Sequence, residues 1–239
     1  MNFLKSLYRR FRLHAAGMKG PLRYWMARLG NSPDAYLKLV RRGVIHVGAN
    51  DGQARQFYAQ NRLRAVFIEA IPELYEALRK NIAVFPNQQA INALITDRDG
   101  ATHTMHVSNN SGLSSSIFDL HQHKDIWPEV HYVREVALQS STLKTALDRA
   151  GVNIADYEIL VMDTQGSELM VLQGAEELLP HFNYIKSEAA DFEIYKNCAT
   201  VDQIRAFLEP RGFDLIRQDE FARREEGGAC YELLFARKK

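Results

Sequence analysis

Cysteine is nearly absent from this 239-residue chain: Cys198 and Cys230 stand far apart and outside any C-x-x-C spacing. That excludes a disulfide scaffold and a thiolate metal cluster, and fits a reduced compartment with incidental thiols. No apolar run approaches the roughly 18 residues that span a bilayer. A secretory leader is not expected either, because Lys5, Arg9, Arg10 and Arg12 interrupt what should be its apolar core. Excess charge of one sign is also lacking: 30 basic against 29 acidic side chains leave +1. No overall field marks a nucleic-acid binder. The G-x-G-x-x-G of a dinucleotide fold, the Gly-Lys-Ser/Thr of a P-loop and the Asn/Asp-Pro-Pro-Tyr/Phe of a base methylase are all missing. Internal repeats and low-complexity tracts are missing too. The expected location is the cytoplasm.

Charge is nevertheless uneven. Lys5, Arg9, Arg10, Arg12, Lys19, Arg23 and Arg28 all precede the first acidic residue, Asp34. Phe3, Leu4, Leu7, Tyr8, Phe11 and Ala15 recur at helical spacing and leave the arginines on the opposite face. Residues 1–43 therefore read as a basic helical extension, and 44–239 as the main domain. The apolar stripe is expected to pack on that domain as a lid, because such stripes usually face a protein core. Peripheral contact of residues 1–28 with the anionic inner membrane surface is the alternative.

Past Val44, apolar strands alternate with helical segments. Strands are expected at Val44 to Val47, Ala65 to Glu69, Gln88 to Ile95, Thr102 to Val107, Arg134 to Leu138, Tyr157 to Asp163, Phe182 to Glu188, Phe213 to Arg217 and Tyr231 to Ala236. Thr102 to Val107 should pair with Gln88 to Ile95 across the turn Asp97-Arg-Asp-Gly100. Helices are expected at Gln53 to Asn61, Pro72 to Val84, Ser141 to Ala150, Ser167 to Leu172 and Val201 to Leu208. The near-continuous apolar run from Tyr157 suits a strand buried on both faces. Asn109 to Ile117 reads as a polar loop, and Phe118 to Tyr132 as irregular. The pattern predicts an α/β fold, a doubly wound and mostly parallel Rossmann-like sheet with an antiparallel edge.

Ligands in such sheets bind beyond the carboxyl ends of the strands. Here those ends carry Gly48-Ala-Asn-Asp-Gly52, Glu69, Asn92-Ala93, Asp163 and Glu188. A strand, a glycine turn, a helix and a strand ending in an acid form an arrangement that holds an adenosine. The turn makes room for one end and the carboxylate takes the ribose hydroxyls. Candidate general bases by position are Asp163, Glu188 and Asp191, with His121, His123 and His131 joining if the irregular segment folds over the site. His121-x-His123 lacks a third ligand at a diagnostic spacing, so no metal site is expected. Gln165 and Glu168 can shape the turn after Asp163 and cap the following helix.

These blocks together resemble the FkbM-type methyltransferases, a family of the S-adenosylmethionine-dependent class I fold. The likeness runs from about Val44 to the C-terminus. It rests on V-I-H-V-G-A-N-D-G-Q at Val44 to Gln53, F-I-E-A-I-P at Phe67 to Pro72 and S-G-L-S-S-S at Ser111 to Ser116. S-T-L-K-T-A-L at Ser141 to Leu147 and I-L-V-M-D-T-Q-G-S-E-L-M-V-L-Q-G-A at Ile159 to Ala175 complete it. The resemblance implies S-adenosylmethionine as cofactor, with Gly48, Ala49, Asn50 and Gly52 around its methionine end. It places Glu69 and Ala70 at the ribose, Asn92 and Ala93 beside the adenine, and Asp163 beside the methyl group. It further implies O-methylation of a sugar, glycan or related small molecule. The alternatives are a non-catalytic cofactor-fold module that docks a partner or membrane surface through the basic N-terminal helix, or a nucleic-acid methyltransferase. No nucleic-acid partner is expected, because the base-methylase motif is missing and the basic residues concentrate outside the catalytic region. One position departs: His46 stands where the family usually carries aspartate.

Overall fold

The computed structural model describes residues 40–238. Of the expected extension only its last four residues fall in that range, so the lid and membrane readings concern residues outside it. In chain order the elements are β1 (Gly43–Val47), α1 (Arg55–Gln60), β2 (Arg64–Glu69), α2 (Pro72–Ile82), β3 (Gln88–Asn92), β4 (Leu94–Ile95) and β5 (Thr102–Ser108). Then follow β6 (Tyr132–Ser141), α3 (Leu143–Arg149), β7 (Ile159–Met162), α4 (Glu168–Gly174), β8 (Tyr184–Ala190), α5 (Val201–Leu208), β9 (Phe213–Arg223) and β10 (Ala229–Arg237).

Seven strands form one sheet in the order β3-β2-β1-β7-β8-β10-β9. All pairs from β3 to β8 are parallel, and β10 runs antiparallel between β8 and β9. The expected doubly wound sheet with an antiparallel edge is the one observed. Chain order reverses between β1 and β7, which opens a crevice above their carboxyl ends.

Alternation along the central strands supplies both faces of the core. Ile45, Val47, Ile68, Leu160 and Met162 pack with Leu147, Val171, Leu172 and Ile204 from α3, α4 and α5. Val44, Phe67, Ile159 and Val161 pack on the other face with Tyr58, Leu78 and Ile82 from α1 and α2. Helix signals in the sequence are used as written: Pro72 opens α2, and Thr142 caps α3 by accepting from the Thr145 amide at 3.2 Å.

One expected pairing is wrong. Gln88 to Ile95 is not one strand, and Thr102–Ser108 does not pair with it. β3 stays beside β2 as far as Asn92, after which the Ala93 amide donates to Glu69 O at 3.2 Å and the chain leaves the sheet. Leu94 and Ile95 join a second, three-stranded sheet of order β4-β6-β5. Its central strand, β6, is longer than expected and takes both neighbours, β4 in parallel and β5 antiparallel. Burial decides this: Leu94, Met105 and Val107 form their own apolar cluster with Ile71 above the main sheet.

The second sheet meets the main body at Gly174, the last residue of α4. A Cβ there would run into the backbone carbonyl of Thr96, itself fully buried. Gly174→Ala gains about 1 kcal/mol in helix propensity, yet overpacking of this kind costs about 1–3 kcal/mol. We expect a net loss of stability on urea unfolding. Gly151→Ala is the control: its φ of +65° imposes strain but nothing lies within 4 Å, so about 1–2 kcal/mol is expected there.

Candidate functional site

A cleft of about 510 Å³ lies over the carboxyl ends of β2, β1, β7 and β8, within the range of small-molecule sites. Gly48, Ala49, Asn50, Glu69, Ala70, Ala93, Asp163 and Glu188 all line it. Gly52 and Asn92 do not. At Gly52, with φ +81°, an added Cβ would meet Leu78 Cδ1 at 2.6 Å, so that glycine lets the turn rest on α2. Asn92 donates through Nδ2 to Glu69 O at 2.8 Å and Ala70 O at 3.1 Å. It shapes the loop after β2 from behind.

Gly48 is also needed for a reason beyond ligand access. Its φ is +79°, and an added Cβ would strike the Asp163 carbonyl. The bend after β1 thus rests directly on the end of β7. From there the Gly48 and Ala49 amides both donate to Ile68 O, at 2.9 and 3.1 Å, tying the turn to β2.

Glu69 is 6 % exposed. Its Oε2 accepts from the Asn50 amide and its Oε1 from the Ile71 amide, each at 2.8 Å. Each oxygen keeps a second acceptor position, and Ile71, Leu94 and Met105 form an apolar shelf beside it. Such a carboxylate can take vicinal hydroxyls while a flat ring lies on the shelf. Burial pushes the Glu69 carboxyl up to about 7, against the Ile71, Asn50 and Ala70 amides that pull it down, and the nearby Asp163 charge adds to the rise.

Around Asp163 the turn is held from beneath. Glu168, 4 % exposed, accepts from the Thr164 amide at 2.8 Å and the Gly166 amide at 3.0 Å. This is the turn-shaping expected of it; the following helix has no side-chain cap, so the expected helix cap is absent. Burial raises its carboxyl to about 7 as well. Gln165 adopts φ 54°, and its Nε2 donates to Asp163 Oδ1 at 2.6 Å while its Oε1 accepts from Tyr195 OH at 2.6 Å.

His46 lines the cleft with its Nδ1 3.1 Å from the Tyr58 hydroxyl. Lys186 and Glu232, not anticipated, also line it and pair at 3.1 Å. A lysine in the interior of the strand expected at Phe182 to Glu188 was the available signal. Of the remaining candidate bases, Asp191 is exposed and ties β10 by accepting from the Ala229 amide at 2.8 Å and Tyr231 OH at 3.1 Å. His121 and His131 are exposed, and only His123 of the three is buried. Among the described residues no group of three or more His, Cys, Asp or Glu side chains could hold a metal ion, and no helix is long and apolar enough to cross a membrane.

Residues 46–215 match the model of the methyltransferase FkbM domain. No curated protein matches the chain. Among solved structures, the methyltransferase domain of bacterial CtHen1 aligns at 10 % identity with a TM-score of 0.52, covering 90 % of this chain and 100 % of that one. Magnesium protoporphyrin IX methyltransferase (ChlM) from Synechocystis PCC 6803, solved with bound S-adenosylmethionine, aligns at 12 % identity and 0.49, covering 97 % and 91 %. A candidate tRNA (m1A22) methyltransferase of Streptococcus pneumoniae, Sp1610, aligns at 12 % and 0.47, covering 87 % and 70 %. The first of these shows a shared fold.

Glu69 and Glu168 set a pH dependence whose sign is definite. Both carboxyls rise from 4.5 to about 7 on folding, so the native state binds more protons than the unfolded chain between those values. Stability should therefore fall as pH rises through that window. Thermal unfolding midpoints of the ligand-free protein should decline from about pH 5 to about pH 8. Glu168→Gln, whose side chain stays neutral, should show a midpoint that varies less with pH, so that any deficit against the wild type from the lost backbone bond shrinks as pH rises.

Proposed function

Because the chain belongs to the FkbM methyltransferase family, whose members depend on S-adenosylmethionine, we propose that it methylates a hydroxyl oxygen on a sugar, glycan or related small molecule. The observation that carries the cofactor's placement is the Glu69 carboxylate, buried at the end of β2, anchored by two amides and opening onto the cleft. In this reading Glu69 and Ala70 hold the ribose, and the shelf beside Ala93 takes the adenine. Gly48, Ala49 and Asn50 leave space for the methionine arm, and Asp163 lies next to the methyl group.

Held there, S-adenosylmethionine would supply an activated methyl carbon for an acceptor oxygen, its sulfur keeping the electron pair of the broken C–S bond. The chain aligns the acceptor oxygen, excludes water and removes the hydroxyl proton. Glu188 is the proposed base. It is 9 % exposed at the end of β8 and reaches both the cleft and the smaller cavity behind it. Asp163 is held in place by the Gln165 amide, which keeps its carboxylate facing the cleft.

Glu69→Ala should weaken S-adenosylhomocysteine binding by about 3 kcal/mol, roughly 100-fold by calorimetry, as two bonds to a charged acceptor are lost. Glu188→Gln should leave that affinity in place and lower turnover by about 10² to 10⁴. The screen uses labelled S-adenosylmethionine with sugars, lipopolysaccharide extracts, small alcohols and RNA. Transfer to carbohydrate supports the reading. Transfer to RNA alone, or cofactor binding with no transfer to any acceptor, overturns the acceptor class.

A further inference from the structure

Behind the cleft lies a second cavity of about 50 Å³. Gln165 and Glu188 line both hollows, so they share a wall at the ends of β7 and β8. The other walls come from segments far apart in sequence, including His123 and Trp127 from the irregular insertion, Tyr195 from the loop after β8 and Phe221 from β9.

His123 is the unusual member. It is 1 % exposed, yet its Nδ1 has no hydrogen-bond partner. An unmet buried polar atom costs about 1–3 kcal/mol. Its ring is firmly seated nonetheless, with the Trp127 centroid at 4.8 Å and the Tyr195 centroid at 5.4 Å. The backbone is pinned as well, since the His121 and His123 amides donate to Ile194 O at 3.2 and 3.0 Å. Burial lowers the imidazole to about 4, with Lys124 adding to the effect. The ring is therefore neutral at physiological pH and can accept a proton donor's bond at Nδ1.

Charge and size narrow the occupant. Glu129, Glu168 and Glu188 line the cavity and no lysine or arginine does, so a carboxylate or phosphate would be repelled. A single water needs about 10–15 Å³ by the same kind of measure. The space thus admits a few heavy atoms, such as a hydroxymethyl group or one edge of a ring.

We infer that this cavity is the acceptor subsite and takes a neutral, hydroxyl-bearing end of a carbohydrate, its O–H donating to His123 Nδ1 and its carbon edge lying against Trp127 and Tyr195. The inference rests on the O-methyltransferase reading and adds the residues that choose the acceptor. Position in the cavity is also linked to the cleft: Tyr195 OH holds Gln165, and Gln165 holds Asp163.

The test uses the full chain saturated with S-adenosylhomocysteine and a panel of methyl hexopyranosides, with methyl glucuronopyranosides as anionic counterparts. Binding is followed by saturation-transfer NMR and calorimetry. At least one neutral glycoside should bind and its glucuronide should not. His123→Ala and Trp127→Ala should each weaken glycoside binding about tenfold or more with S-adenosylhomocysteine affinity unchanged. His123→Asn, whose amide oxygen can accept in place of Nδ1, should restore part of it. Equal binding of the glucuronide, full binding by both alanine variants, or no glycoside binding to a protein that holds S-adenosylhomocysteine would each overturn the subsite. Failure of the wild-type protein to bind S-adenosylhomocysteine would instead strike the underlying reading.

Discussion

Two backbones meet at the centre of this site, and much else follows from their contact. The bend after β1 leaves no room for a side chain at Gly48, because the carbonyl of Asp163 occupies that space. β1 and β7 are parallel neighbours paired from Val44 with Ile159 to Val47 with Met162, so both chains leave the sheet at the same level. There they must part in opposite directions, one toward α1 and the other toward α4. The crevice is what separates them, and a glycine at φ +79° is what lets the first turn stay against the second.

Each of these turns is then held by one buried glutamate. Glu69 collects the Asn50 and Ile71 amides, and Glu168 collects those of Thr164 and Gly166. Backbone donors that would otherwise lie unmet in the interior are satisfied, at the cost of burying a carboxylate. The raised carboxyls at both positions express that cost. The two differ in access: Glu69 faces the cleft and can serve a ligand as well as the fold, whereas Glu168 lies beneath its loop and lines only the smaller cavity. Gln165 joins the two hollows through bonds to Asp163 and Tyr195. A left-handed backbone at a residue other than glycine is strain of the sort that functional loops retain.

Legibility followed the range of the interactions. The strand Val44 to Val47, the acid at Glu69 and the apolar run ending at Asp163 could be read directly, since burial on both faces demands continuous apolar residues and an end marked by a turn. The hold of Glu168 on its turn was readable because its partners lie within four residues. Gly52 and Asn92, expected around the ligand, lie outside the cleft lining and pack the turns, because local sequence does not say which side of a loop faces a cavity. The split of Gln88 to Ile95 was hidden for a similar reason. Alternation in Thr102–Ser108 and Tyr132–Ser141 shows that each is a strand, but the choice of partner depends on an apolar cluster with Ile71 from another part of the chain.

What the sequence alone determined is the doubly wound sheet, its order of strands and helices, and the row of polar groups at the strand ends. Those depend on periodicity and on chain reversal rules that act over tens of residues. Tertiary structure alone decided which histidine of the insertion is buried and which glycine touches which carbonyl. It also decided that His123, Tyr195 and Glu188 share one small cavity. His123 stands more than sixty positions from Glu188 and Tyr195 in the chain, and only the packed structure brings their side chains to the same place.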